Sequence, residues 1–180
     1  MFTKKTPREP PLKEINPQVS KDFLEVFESN KGIIYKIANS YCKDVEDRQD
    51  LVQEISYQLW KSFEKYDTNY QLSTWIYRIS LNVAISFYRK THKKSQYESK
   101  LGIHELLYFE EENLVDEKLK LLNTFIYELK EIDKAIILLY LEDKNQNEIA
   151  QIMGLSVSNI STKIHRIKKI LSDKFQKLNQ

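Results

Sequence analysis

Glycine and proline are scarce, with three Gly and four Pro in 180 residues, and three of the prolines (Pro7, Pro10, Pro11) fall within the first eleven positions. So few breakers in the remainder disfavour a turn-rich β fold and favour long helices. Cysteine occurs once, as Cys42, which excludes an intramolecular disulfide. The three histidines, His92, His104 and His165, are scattered. No Cys/His cluster therefore has metal-ligand spacing, and neither a metal nor another cofactor is expected. Long apolar runs are missing too: the longest, Ala135 to Leu141, is far too short to span a membrane, so no membrane insertion is expected. At the N-terminus, Lys4, Lys5 and Arg8 stand among prolines without the apolar stretch of a signal peptide, which points to a cytoplasmic chain with a flexible leader over residues 1 to about 19. Clustered carboxylates, a phosphate-cradling glycine loop and a nucleophile–base pair are all lacking, so an enzyme is not expected.

What is present is charge, and it is segregated. The net charge is only +2, yet Lys61, Lys65, Arg78, Arg89, Lys90, Lys93 and Lys94 make one segment basic, and Lys163, Arg166, Lys168, Lys169, Lys174 and Lys177 do the same for the C-terminus. Between them Glu98, Glu105, Glu110, Glu111, Glu112, Asp116 and Glu117 face only Lys100 and Lys118. A basic, acidic, basic order fits two phosphate-facing domains and a linker that avoids phosphates. With 41% hydrophobic residues the chain can support two small cores.

Apolar periodicity makes those cores helical. Phe23, Val26, Phe27, Ile33, Ile34, Ile37, Ala38 and Tyr41 recur at three- and four-residue steps. From Asp47 to Trp60, Leu51, Val52, Ile55 and Leu59 form one stripe, while Asp47, Asp50, Gln53 and Glu54 form an acidic face opposite it. The pattern dissolves between Phe63 and Ser73, a polar loop holding Tyr66 and Tyr70, and returns with Trp75, Ile76, Ile79, Val83 and Phe87. Two further helical stretches follow the acidic segment, one from Leu121 to Leu129 and one carrying Ile132, Ala135, Ile136, Leu139 and Tyr140.

The last segment carries the most specific pattern. In NEIAQIMGLSVSNISTKIHR, Asn147 to Arg166, Ile149, Ile152 and Met153 supply the buried face of a short helix, and Ala150 is small enough for a second helix to cross it. Gly154 permits the positive φ that ends a helix, Ser156 caps the next one, and Leu155 can staple against Ile160. Ile160, Ile164, Ile167 and Leu171 then face inward, leaving Ser158, Asn159, Ser161, Thr162, Lys163, His165 and Arg166 outside. That outer face mixes groups able to read base edges with groups able to grip phosphates, as a helix-turn-helix recognition helix requires.

Three segments together carry a family resemblance. DRQDLVQEISYQLW (Asp47 to Trp60) resembles region 2.2 of sigma-70 proteins, STWIYRISLNVAISFYRK (Ser73 to Lys90) resembles regions 2.3 to 2.4, and LLYLEDKNQNEIAQIMGLSVSNISTKIHRIKKIL (Leu138 to Leu171) resembles region 4. In this order, with an acidic linker between, the chain looks like an extracytoplasmic function (ECF) sigma factor. The resemblance implies an all-α protein with a region 2-like domain at 20–95, a linker at 96–118 and a region 4-like domain at 119–180. It implies core RNA polymerase as partner, through the β′ clamp helices and β flap, with Asp47, Asp50, Leu51, Gln53 and Glu54 as contacts. Promoter DNA would be held as a melted −10 strand by Lys61, Tyr66, Tyr70, Trp75, Arg78, Asn82, Arg89 and Lys90, since aromatic faces stack on unpaired bases and cations follow the backbone. Trp75 stands at helical spacing with Ile76 and Ile79, where a tryptophan is more often core. The −35 duplex would be read by Ser158, Asn159, Ser161, Thr162, Lys163, His165 and Arg166.

Departures accompany the likeness. Ser161 and Lys163 stand where the family often has arginine, so base preference does not carry over. The linker suits a nucleic-acid mimic or a plain tether, and an anti-sigma factor is expected from the family alone. The rival reading is a stand-alone helix-turn-helix regulator with a dimerising or sensing N-terminal module.

Overall fold

The computed structural model describes residues 17–98 and 114–178, and among these it shows seven α-helices and no strand. The expected leader, apart from its last three residues, and residues 99–113 of the expected linker lie outside the described residues.

Three helices build the first bundle: α1 (Pro17–Tyr41), α2 (Val45–Phe63) and α3 (Leu72–Glu98). Its core is the apolar stripe of each: Ile34, Ile37 and Ala38 from α1, Leu51, Ile55 and Leu59 from α2, and Ile76, Leu81 and Ala84 from α3 are all buried. A fully buried aliphatic side chain of this size contributes roughly 1.5–3 kcal/mol. The α1–α2 break is sharp because Asp44 is an N-cap, its carboxylate accepting from the amides of Glu46 (2.8 Å) and Asp47 (3.2 Å). Phe63 closes one end of the bundle through edge contacts with Phe23 and Trp75. α3 starts one residue before Ser73, at Leu72, which packs against the core.

The second bundle comprises α4 (Leu114–Tyr127), α5 (Glu131–Leu141), α6 (Gln146–Met153) and α7 (Val157–Leu178). α4 begins inside the segment expected as linker. Ile126, Leu129, Ala135, Ile136, Leu139, Ile149, Ile152, Ile160, Ile164 and Ile167 form its core. Tyr140, expected on the apolar face of α5, is instead exposed, its hydroxyl accepting from Lys168 Nζ (2.6 Å). The two bundles meet where α3 packs on α5 and α6, and α1 on α4.

Candidate nucleic-acid interface

The helix-turn-helix is assembled by local chemistry. Asn145 forms a capping box for α6: its side chain accepts from the amides of Asn147 and Glu148, and Glu148 accepts in return from the Asn145 amide (2.9 Å). The Asn145 amide also holds the Glu148 carboxyl below its ordinary range, with help from Lys144. Gly154 ends α6 at φ +66°, and the Leu155 amide returns to the Ala150 carbonyl (3.1 Å). Ser156 Oγ then accepts from the Asn159 amide (3.3 Å), and Ile160 is fully buried. Gly154 and Ser156 do what the sequence expects of them.

On α7, Ser158, Asn159, Ser161, Thr162, His165 and Arg166 are exposed and Lys163 is half-buried, so all seven expected reading residues reach the surface of one helix. Two of them are held from behind. Asp133, buried in the first turn of α5, pairs with Arg166 Nη2 (2.5 Å) and Lys163 Nζ (3.3 Å). Sequence reasoning missed Asp133, whose partners lie thirty or more positions away. A carboxylate there can aim two flexible cations outward before any DNA arrives.

The expected single-strand surface lies on the first bundle. Residues 64–71 form an ordered loop. The Tyr66 hydroxyl donates to the Tyr70 carbonyl (2.5 Å), and Asp67 Oδ1 accepts from both the amide and the side chain of Asn69. Tyr70 projects into solvent, 51% exposed. Trp75 is half-buried, its ring packed on Phe63 and on Tyr66 (5.2 Å). Arg78, Asn82 and Arg89 are exposed on the face of α3 that Trp75 begins, with Lys90 exposed beside them and Lys61 exposed on α2. Arg89 Nε donates to Glu131 Oε1 (2.9 Å), and this bond holds the Glu131 carboxyl below its usual range.

The acidic face of α2 is open as expected at Asp50, Gln53 and Glu54, with Asp47 half-buried at its start. Leu51 requires a correction. Its side chain is completely buried between the first three helices, so it can support this face but not touch a partner. Two residues of the face went unnoticed. Tyr57 and Trp60 are 51% and 38% exposed with rings 6.5 Å apart, and Lys61 lies 5.7 Å above the Tyr57 ring. Helical spacing puts Tyr57 directly in line with Asp50 and Glu54, which was legible at positions i, i+4 and i+7.

Among the described residues there is no group of His, Cys, Asp and Glu able to hold a metal, and no helix long and apolar enough to cross a membrane. The geometry is that of two helical modules, one carrying an aromatic and basic surface and the other a helix-turn-helix. Known proteins resolve the class further. Sigma-70 region 2 matches residues 26–94 and Sigma-70 region 4 matches residues 119–171. The RNA polymerase sigma factor SigV of Bacillus subtilis (strain 168) is 32% identical over 143 residues, covering 79% of this chain and 84% of its own. The ECF RNA polymerase sigma factor SigW of the same organism is 24% identical over 179 residues, covering 93% and 96%. In fold the chain is similar to the sigma factor RpoE from Bartonella quintana, solved with the anti-sigma factor NepR (TM-score 0.65, 17% identity, 89% of this chain and 98% of that one). The chain belongs to the sigma-70 family, in its extracytoplasmic function group. It is a sigma factor, which binds core RNA polymerase and directs promoter-specific initiation. A stand-alone regulator is not what these matches describe.

Proposed function

We propose a division of labour among the residues above. The α2 face of Asp47, Asp50, Gln53 and Glu54, extended by Tyr57 and Trp60, docks on the β′ clamp helices of core polymerase. An exposed aromatic pair inside a polar face is the arrangement of a binding hot spot, and that placement is the observation that carries the assignment. The Tyr66–Tyr70 loop, Trp75 and the cations Lys61, Arg78, Arg89 and Lys90, with Asn82, take the melted −10 strand by stacking and backbone contact. Ser158 to Arg166 on α7 read the −35 duplex in the major groove, with Arg166 and Lys163 aimed by Asp133.

Residues 20–95 act as the core-binding and −10 domain, 119–180 as the −35 domain, and 96–118 as the connection between them. The work is done by binding alone, in the cytoplasm, without a catalytic step. An anti-sigma factor is the expected inhibitor, in keeping with the family and with the NepR complex of the structurally similar RpoE.

The test is capture of purified core RNA polymerase by the wild-type chain and by Asp50→Lys with Glu54→Lys. Capture by wild type and loss in the variant is the expected result. Equal capture by both would remove the α2 face from the interface.

A further inference from the structure

We propose that Asp133 is a specificity-determining residue of the −35 reading face: it locks Arg166 as a two-donor reader of a single guanine and withholds the Lys163–Arg166 pair from the phosphates of other duplex. The proposal rests on the reading of α7 as the −35 helix.

Asp133 stands third in α5, where the unbonded amides of a helix start favour a negative charge and the N-cap, Lys130, offers no side-chain cap. Its side chain is only 7% exposed, so the carboxylate depends on its cations. Each oxygen takes one: Oδ1 accepts from Lys163 Nζ (3.3 Å) and Oδ2 from Arg166 Nη2 (2.5 Å). The two cations differ in reach. Lys163 is 25% exposed and lies against the bundle as counter-ion, whereas Arg166 keeps 55% of its side chain outside. Lys163 therefore balances the buried charge, and Arg166 is left to meet DNA.

Holding one nitrogen of a guanidinium fixes the plane of its other donors. The N–H groups left free then point outward as a pair. The major-groove edge that offers a pair of acceptors side by side is that of guanine, through O6 and N7. An unheld arginine reaches the same edge only by losing rotamer freedom, and it meets a phosphate as readily. Asp133 also acts against phosphate directly. It cancels one positive charge of the pair, and it stands behind the guanidinium as a charge of the same sign as an incoming phosphate. Attraction common to every duplex is lowered, while the contact that depends on sequence is kept.

The test uses holoenzyme reconstituted from core RNA polymerase and the full chain, which selects from a random-sequence duplex library whose bound fragments are sequenced. Wild type should enrich a −35 element containing one G·C pair whose preference is lost in Arg166→Ala. Asp133→Asn should weaken the preference at that same pair by roughly tenfold and leave its neighbours unchanged. Affinity of the full chain for random-sequence duplex should meanwhile rise by about fivefold, with a salt slope steeper by about one. A variant that merely loosened the bundle would bind both kinds of duplex more weakly, so a rise for random duplex separates positioning from structure. In the Arg166→Ala background, Asp133→Asn should no longer alter the preference at that pair. Lys163→Met should keep that preference while lowering affinity for random duplex.

Circular dichroism monitors folding. If Asp133→Asn does not fold, the wild-type chain decides by nuclear magnetic resonance of its arginine side chains. Slowly exchanging, separate Nη signals are expected for Arg166 and averaged ones for the exposed Arg78; averaged signals at Arg166 overturn the lock. Full preference at the G·C pair in Asp133→Asn overturns the proposal and leaves α7 as the −35 reader. A −35 preference untouched by Arg166→Ala overturns the reading of Arg166 as well.

Discussion

Replacing Lys134 with Met keeps the side-chain volume and deletes the ammonium, and the consequence is a change in how stability depends on pH. Burial pushes the Lys134 ammonium down to about 8 from its ordinary 10.5, with Cys42 and Glu131 opposing the shift and Lys43 adding to it. The other groups facing it are Tyr41, Tyr88 and Tyr127, with Arg89 behind Glu131. Between pH 8 and 10.5 the folded chain has released a proton that the unfolded chain keeps, so stability rises with pH, by up to about 1.4 kcal/mol per pH unit.

Cys42 acts in the other direction. Burial pushes its thiol up to about 11 from 9.0, so from pH 9 the unfolded chain loses a proton that the folded one retains, and stability falls. Tyr127, raised to about 12 by burial, and Tyr41, also raised by burial, add to that fall above pH 10. Wild type should therefore gain stability from pH 8 to 9, level off, and lose it above 10. The Met variant should show no gain, and the difference between the two should move by roughly 2–3 kcal/mol in favour of wild type from pH 8 to 10. Urea unfolding followed by circular dichroism at several pH values measures it. Parallel curves for the two proteins would refute the account of the caged lysine.

Three further outcomes follow from the sites. Asn145→Ala removes the α6 capping box and should lower stability by about 1 kcal/mol in the same unfolding assay, leaving core polymerase capture intact. Asp133→Asn frees Lys163 and Arg166 from their shared carboxylate. It should cost about 1 kcal/mol, and binding to random-sequence duplex, followed by fluorescence anisotropy across a salt series, should become tighter and more steeply salt-dependent. Tyr57→Ala, at an exposed position, should change stability by less than about 0.5 kcal/mol while weakening core polymerase binding by about tenfold, read by anisotropy with labelled protein.

The helices were legible because each buries one stripe, and a stripe at helical spacing needs no knowledge of its partner. Gly154 and Ser156 were legible for the same reason: the conformation each enforces is local. Leu51 shows the opposite failure. Its spacing with Ile55 and Leu59 already placed it in the core, yet the resemblance carried it into a contact set along with its neighbours Asp50 and Gln53. Asp133 and Lys134 were illegible because charges in the first turn of a helix are ordinarily solvated. Their burial depends on Lys163 and Arg166 in one case and on tyrosines from three helices in the other. Asn145 was within reach, as an Asn three residues before Glu148, but the motif was read from Asn147 onward. The seam between the bundles had no sequence signal, since ties such as Lys36 to Glu142 join residues 106 positions apart.

The most direct measurement of the central claim is transcription by core RNA polymerase reconstituted with the purified chain on a library of genomic fragments, with the 5′ ends of the transcripts sequenced. The account predicts discrete starts that share a −35 and a −10 element at fixed spacing and vanish with Asp50→Lys and Glu54→Lys. Core polymerase that binds the chain yet yields no starts beyond those of core alone would contradict it.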